Sequence, residues 1–266
     1  MFLTGANLKL GDMVAKGDIS FSNAGERPNI TAALGFDSLS LRLDAAESWS
    51  DKSIDFSGLN AIDMQFRFSA NSLQLNDLKT GAATVAGALK DRVLNAVVKS
   101  NDFAGGTAQF DVGLDATQLP PKLKLDVSLA NVATLTKKNF LSGGITLESH
   151  LAATGNSQAE LISTLSGNAT VALDGSTISG ADLNTLAAQP KDGWNGGQTP
   201  NVKGQMQFTL NEGVAKLGEN QLDGAGVSLH SEGEIDLLRK SIAVTTGPDV
   251  KVKIQGPWAK PTLTPQ

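Results

Sequence analysis

Residues 156–184 read NSQAELISTLSGNATVALDGSTISGADLN. Ser157 and Glu160 form an S-x-x-E capping box, Leu161, Ile162 and Leu165 follow as a one-sided apolar stripe, and Gly167 is placed to end a helix. The spacing predicts a short helix over 157–166 that packs those three side chains onto a sheet. Ala169, Val171 and Leu173 then alternate with Asn168, Thr170 and Ala172, as in a strand with one buried face. Asp174-Gly175 is a turn signal, and a second short helix is expected over 181–189.

The same period of two recurs on both sides. Leu39, Leu41 and Leu43 alternate with Ser40 and Arg42, and Ile62, Met64, Phe66 and Phe68 with Asp63, Gln65 and Arg67. Phe110, Val112 and Leu114 repeat the pattern, as do Leu123, Leu125, Val127 and Leu129, then Met206, Phe208 and Leu210, then Val250, Val252 and Ile254. Each run reads as a strand with one apolar and one wet face, the antiparallel habit. Turn residues fall between them at Asn71-Ser72, Gly105-Gly106, Pro120-Pro121, Gly143-Gly144 and Asn211-Glu212-Gly213. A third short helix is expected at 131–139, and 86–99 fits either a helix or strands. Stretches 44–57 and 189–204 read as loops. The fold class expected is mostly β: an extended, twisted antiparallel sheet forming a groove or a layered structure, with a few short helices. Three sections are expected: a strand unit at 1–44 continuing the same sheet, a linker loop at 45–57, and a β-rich region at 58–266.

Composition narrows the function. The chain has 266 residues, a net charge of -5, no cysteine, no tyrosine and three tryptophans. Lys and Arg never cluster beyond a pair, which argues against nucleic acid as a partner. Without cysteine there is no disulfide, no thiol catalysis and no Cys-ligated metal. His150 and His230 are the only histidines, and both fall on the wet side of strands. No G-x-S-x-G elbow and no phosphate-cradling glycine loop accompanies them. Asp174, Asp182, Asp223 and Asp236 sit beside glycines or strand ends, where turns and caps account for them. The expectation is a protein that is not an enzyme, with no catalytic residue, metal or cofactor.

The order of these pieces resembles the C-terminal region of the AsmA family: a helix ending in Leu165-Ser166-Gly167, a strand, Asp174-Gly175, and then Ile178, Gly180 and Asp182-Leu183. Phe56-Ser57-Gly58-Leu59, Phe103-Ala104-Gly105-Gly106-Thr107, Glu232-Gly233-Glu234-Ile235-Asp236-Leu237 and Ile254-Gln255-Gly256-Pro257-Trp258 extend the resemblance over roughly 55–266. Ala181 departs from it, standing where Ile is frequent. The resemblance implies that 86–99 is two strands joined around Lys90-Asp91. It also implies a role in bacterial envelope biogenesis, within a wider group of bridge-like lipid-transfer proteins. Phospholipid acyl chains would be the partners, shielded between inner and outer membranes by Met64, Phe66, Phe68, Leu123, Leu125 and Val127. The implied location is the periplasm, with an inner-membrane anchor outside this sequence, since Met1-Phe2-Leu3 leads straight into polar, Gly-rich residues. The alternative is a closed β-sandwich adaptor affecting outer-membrane protein assembly.

Overall fold

The computed structural model describes residues 1–10, 13–41, 48–75, 78–134, 141–188 and 197–266. Its strands are β1 (Phe2–Leu10), β2 (Met13–Ser22), β3 (Asn29–Phe36), β4 (Leu39–Leu41), β5 (Asp63–Ala70), β6 (Leu73–Leu75), β7 (Leu78–Thr80), β8 (Ala83–Lys90), β9 (Val93–Phe103) and β10 (Gly106–Asp115). They continue with β11 (Lys122–Thr134), β12 (Leu141–Thr154), β13 (Ser166–Ser179), β14 (Gln198–Asn211), β15 (Val214–Gly224), β16 (Val227–Asp236), β17 (Ser241–Pro248), β18 (Val252–Pro257) and β19 (Thr262–Pro265). Helices α1 (Gln158–Ser163) and α2 (Leu183–Ala188) and a 3₁₀ turn (Ser57–Asn60) complete the described elements.

Sixteen strands form one twisted sheet, not closed into a barrel, in the order β1-β2-β3-β5-β8-β9 and then consecutively to β19. The mostly β expectation therefore holds, and 86–99 is indeed two strands. Strands β4, β6 and β7 form a separate three-stranded sheet. Neighbours are antiparallel nearly throughout, as period-two alternation with short turns requires. Strands β3 with β5 and β4 with β6 pair in parallel. Parallel neighbours cannot be joined by a tight turn, so the chain between β3 and β5 must cross over. The chain divides into two compact units, Met1–Val127 with Ala152–Leu161, and Ser128–Leu151 with Ile162–Gln266.

Several turn signals and one helix signal resolve differently from expectation. The expected helix at 131–139 is strand as far as Thr134, with Val132 fully buried; β-branched Val132 and Thr134 suit the sheet, and 135–140 lie outside the described residues. Gly143-Gly144 is not a turn but lies inside β12, and Asp174-Gly175 lies inside β13. Gly144 sits at φ +49°, and a Cβ there would stand 1.8 Å from the carbonyl oxygen of Asp174, so only glycine permits this approach. The Ser176 hydroxyl donates to the Gly143 carbonyl across the same irregularity. Opposite, β14 carries its own slip: Leu173 pairs with Gly204, Ser176 with Val202 and Ile178 with Thr199. Each strand thus contributes one extra residue, β13 first and β14 second. β14 begins at Gln198, so the expected loop at 189–204 is shorter at its end; 189–196 lie outside the described residues.

The two helices are capped as their sequences predict. Glu160 N donates to Ser157 Oγ at 3.2 Å, and Asn156 N to Glu160 Oε2 at 2.6 Å. At α2, Asn184 N donates to Asp182 Oδ1 at 3.0 Å, and the Thr185 hydroxyl to Asp182 Oδ2 at 2.8 Å. In the second unit α2 lies against β14 and β16, burying Leu183 and Leu186. No residue of α1 is buried; Leu161, Ile162 and Leu165 are half-buried, so the expected packing of this stripe is only partial.

Candidate functional site

The first unit presents a broad apolar face built row by row from strand register. Gly17, Leu34, Phe68, Val85, Val98 and Phe110 pair in succession from β2 to β10. One step along the strands, Ile19, Ala32, Phe66, Gly87, Ala96 and Val112 form a second row. A third contains Met64, Leu89, Leu94 and Leu114. The intervening residues, such as Gln65, Arg67 and Lys99, are exposed on the other face.

Strand β11 brings in the remaining predicted residues. A Cβ on Gly113 would meet Lys124 Cβ at 3.7 Å and Asn95 Oδ1 at 3.5 Å. Lys124 therefore shares the polar face with Asn95, and Leu123, Leu125 and Val127 turn to the face that holds Phe66 and Val112. All six residues expected from the sequence, Met64, Phe66, Phe68, Leu123, Leu125 and Val127, lie on one face, and all six are half-buried. The sequence reading missed Val85, Val98, Phe110 and Val112, which lie in the same rows. The alternation of Phe110, Val112 and Leu114 was their available signal; the helix-or-strand ambiguity of 86–99 concealed Val98.

Aromatic rings order the centre of this face. Phe66 and Phe68 stack at 5.2 Å between centroids, and Phe36 meets Phe68 edge-on at 6.0 Å. The Phe66 ring lies across Gly87, where a Cβ would fall 2.7 Å from its Cζ. Along the strands the covering differs. At the Phe36, Ala70 and Ala83 end the three-stranded sheet provides cover, with Leu39 packed against the buried cluster and Leu73 buried. Only a cavity of about 40 Å³ remains there, lined by Leu39, Phe68, Leu73 and Val85 among others. Further along, Phe66, Phe110 and Val112 are half-buried, while Ala32 in the row of Phe66 and Leu89 in the next are buried.

The opposite end of these strands is polar. Arg27 Nη1 stands 3.8 Å from both Asp63 Oδ1 and Asp91 Oδ1, beyond hydrogen-bond reach of either, and Asp91 N donates to Asp63 Oδ1 at 3.1 Å. At the next turn Thr117 donates to Asp115 through both its hydroxyl and its amide, which holds the Asp115 carboxyl below the usual carboxylate range. His150 and His230 are exposed. Asp182 caps α2, Asp236 accepts the Arg239 amide at 2.8 Å, Asp174 pairs with Lys203 at 2.9 Å, and Asp223 accepts the Gln221 side-chain amide at 3.0 Å. Among the described residues no three His, Asp or Glu side chains gather as metal ligands would. No described helix is long and apolar enough to cross a membrane.

Comparison with known proteins adds no relative: no protein family, no curated protein and no solved structure matches the chain.

Proposed function

We propose that the chain is an AsmA-type protein of the bacterial envelope that shields phospholipid acyl chains on the face carrying Phe66 and Leu125. It would act in the periplasm, held to the inner membrane by a segment outside this sequence, and pass lipid between the two membranes. The observation that carries the reading is the set of continuous apolar rows from β3 to β10, in which Phe66, Phe110 and Val112 stay half-buried. Each Å² of acyl surface kept from water there is worth about 25 cal/mol. Contact spread over many small increments lets a chain slide, whereas a single deep pocket would hold it. No reacting group is needed. The sequence resemblance over 55–266 supplies the envelope setting.

The rival adaptor reading needs a closed apolar core. Among the described residues the only second sheet has three strands, too few to face sixteen. Photo-crosslinking in cells from positions 66 and 125 tests the choice. Phospholipid adducts at both positions are expected. Adducts only within a correctly folded protein would hand the face to the adaptor reading.

A further inference from the structure

In the second unit, β14 to β19 are consecutive antiparallel strands, so their turns alternate between two ends of the sheet. Residues 212–213, 237–240 and 258–261 make the turns at one end. Backbone bonds stitch this end together. Gly213 N donates to the Leu165 carbonyl at 2.9 Å, Leu237 N to the Gly213 carbonyl at 2.9 Å, and Trp258 N to the Lys240 carbonyl at 2.9 Å. Within the turns, Arg239 N donates to Asp236 Oδ1 at 2.8 Å, and Lys260 N to the Pro257 carbonyl at 3.0 Å. Side chains in these turns are therefore held out on a bonded frame.

What the frame holds out is apolar and cationic. Among the described residues of the second unit, Leu238 and Trp258 are the exposed large apolar side chains, at 42 % and 40 %, and both stand in these turns. A lone exposed leucine is ordinary, but two such groups in turns bonded to each other are not. Arg239 and Lys260 beside them are exposed, and Lys240 is half-buried. The acids in these turns are Glu212 and Asp236, and Asp236 is half-buried and paired with the Arg239 guanidinium at 3.3 Å. Further down the strands, Glu234 lies opposite Lys216 in register. This end thus carries a cationic surplus in a chain whose net charge is -5. The opposite end of the same strands differs. There Val227 and Val250 are buried, and Asp223, Asp249 and Lys251 are exposed.

We propose that this end docks on an anionic lipid bilayer: Trp258 and Leu238 enter the boundary between headgroups and acyl chains, and Arg239, Lys240 and Lys260 meet lipid phosphates around them. A Trp ring has an apolar body and one N–H donor, which suits the boundary between wet and apolar layers. Arg and Lys lay their stems along apolar surface and keep their charges at the phosphate level. Together these groups fit a partner that is negative at its surface and apolar just beneath it. The inference concerns the second unit and does not depend on the acyl-chain reading of the face in the first.

The absence of cysteine allows a single reporter. An environment-sensitive fluorophore on Leu238→Cys should shift to the blue with vesicles of phosphatidylglycerol and phosphatidylcholine, and not with phosphatidylcholine alone. The same label on Ala225→Cys, in an exposed turn at the opposite end, should not shift. In unlabelled protein, the partition coefficient measured by cosedimentation with the anionic vesicles should fall about tenfold for Trp258→Ser and about fivefold for Lys260→Gln. Thermal unfolding should stay that of the parent, because both side chains are exposed. Vesicle binding that leaves the Leu238 label unshifted, or shifts both labels equally, would overturn the docking end and leave the acyl-chain reading intact. Equal binding to both kinds of vesicle, no binding to the anionic ones, or variants that partition like their parent would overturn it too. A shift that grows with protein concentration when no vesicles are present would give this end to a second copy of the chain instead.

Discussion

Helices α1 and α2 are each six residues long, and each is opened by a side chain that caps its first turn. By local criteria they are twins. Yet α2 buries Leu183 and Leu186, the latter 2 % exposed, while α1 buries nothing. The difference lies in what the sheet offers. Beneath α2, Val202 and Thr199 are fully buried, and the Thr199 hydroxyl donates to the Ala181 carbonyl at 2.8 Å while accepting the Leu183 amide at 2.9 Å. At the start of α1, Ser50 meets Gln158 and Ala159, and Gln158 is exposed. A six-residue helix is too short to stand alone, so its permanence is decided by its neighbours. The comparison shows one helix that closes a core and one that buries none of its own side chains fully.

The largest break in this comparison should come from Leu186→Ala, expected to cost about 3 kcal/mol in urea denaturation, the range for a fully buried leucine. A loss near that of a surface site would mean α2 is no more fixed than α1. Next is Thr199→Val, which keeps the volume and removes the hydroxyl. Leaving the Leu183 amide and Ala181 carbonyl without their partner should cost about 2 kcal/mol. On the other helix, Leu161→Ala should cost only about 1 kcal/mol, because its side chain is half-buried. A cost equal to that of Leu186→Ala would erase the distinction. The finest test is pH. The Thr185 hydroxyl, with the amides of Thr185 and Asn184, holds the Asp182 carboxyl below its ordinary range. A depressed folded value means the contribution is full above the unfolded value and is lost as pH falls through the lower folded one. The stability gap between the parent and Asp182→Asn should therefore hold at neutral pH and shrink below about pH 4. A gap that stays constant into acid would remove Asp182 as the charged cap.

Most strands were legible because their alternation is local. Ile62 to Phe68 could be read from seven residues without knowing any partner, and β5 is found there. Capping was legible for the same reason, since Ser157 and Asp182 act within a few residues of themselves. What could not be read is what needs a second strand. Asp174-Gly175 and Gly143-Gly144 carry the chemistry of turns, and nothing local says that a neighbouring strand will hold each pair inside a ladder. The parallel pairing of β3 with β5 is equally silent, for it depends on a crossover whose length alone does not tell its route. At the site, alternation indicated which residues share a face. The three-stranded cover and the meeting of Ser50 and Ile54 with residues 156–159 were hidden, because they are contacts between residues distant in sequence.

The slips in β13 and β14 behave like a frameshift and its suppressor. The extra residue at 174–175 throws the pairing out by one at Ser176 and Val202, and the extra residue on β14 throws it back, so Ile178 meets Thr199 in the frame that Leu173 and Gly204 had set. Thr199 reaches the mouth of α2 only because the two errors cancel. A change that mended either strand alone, by deleting Gly175 or Asn201, would make that strand more regular and deliver the wrong residue to the helix.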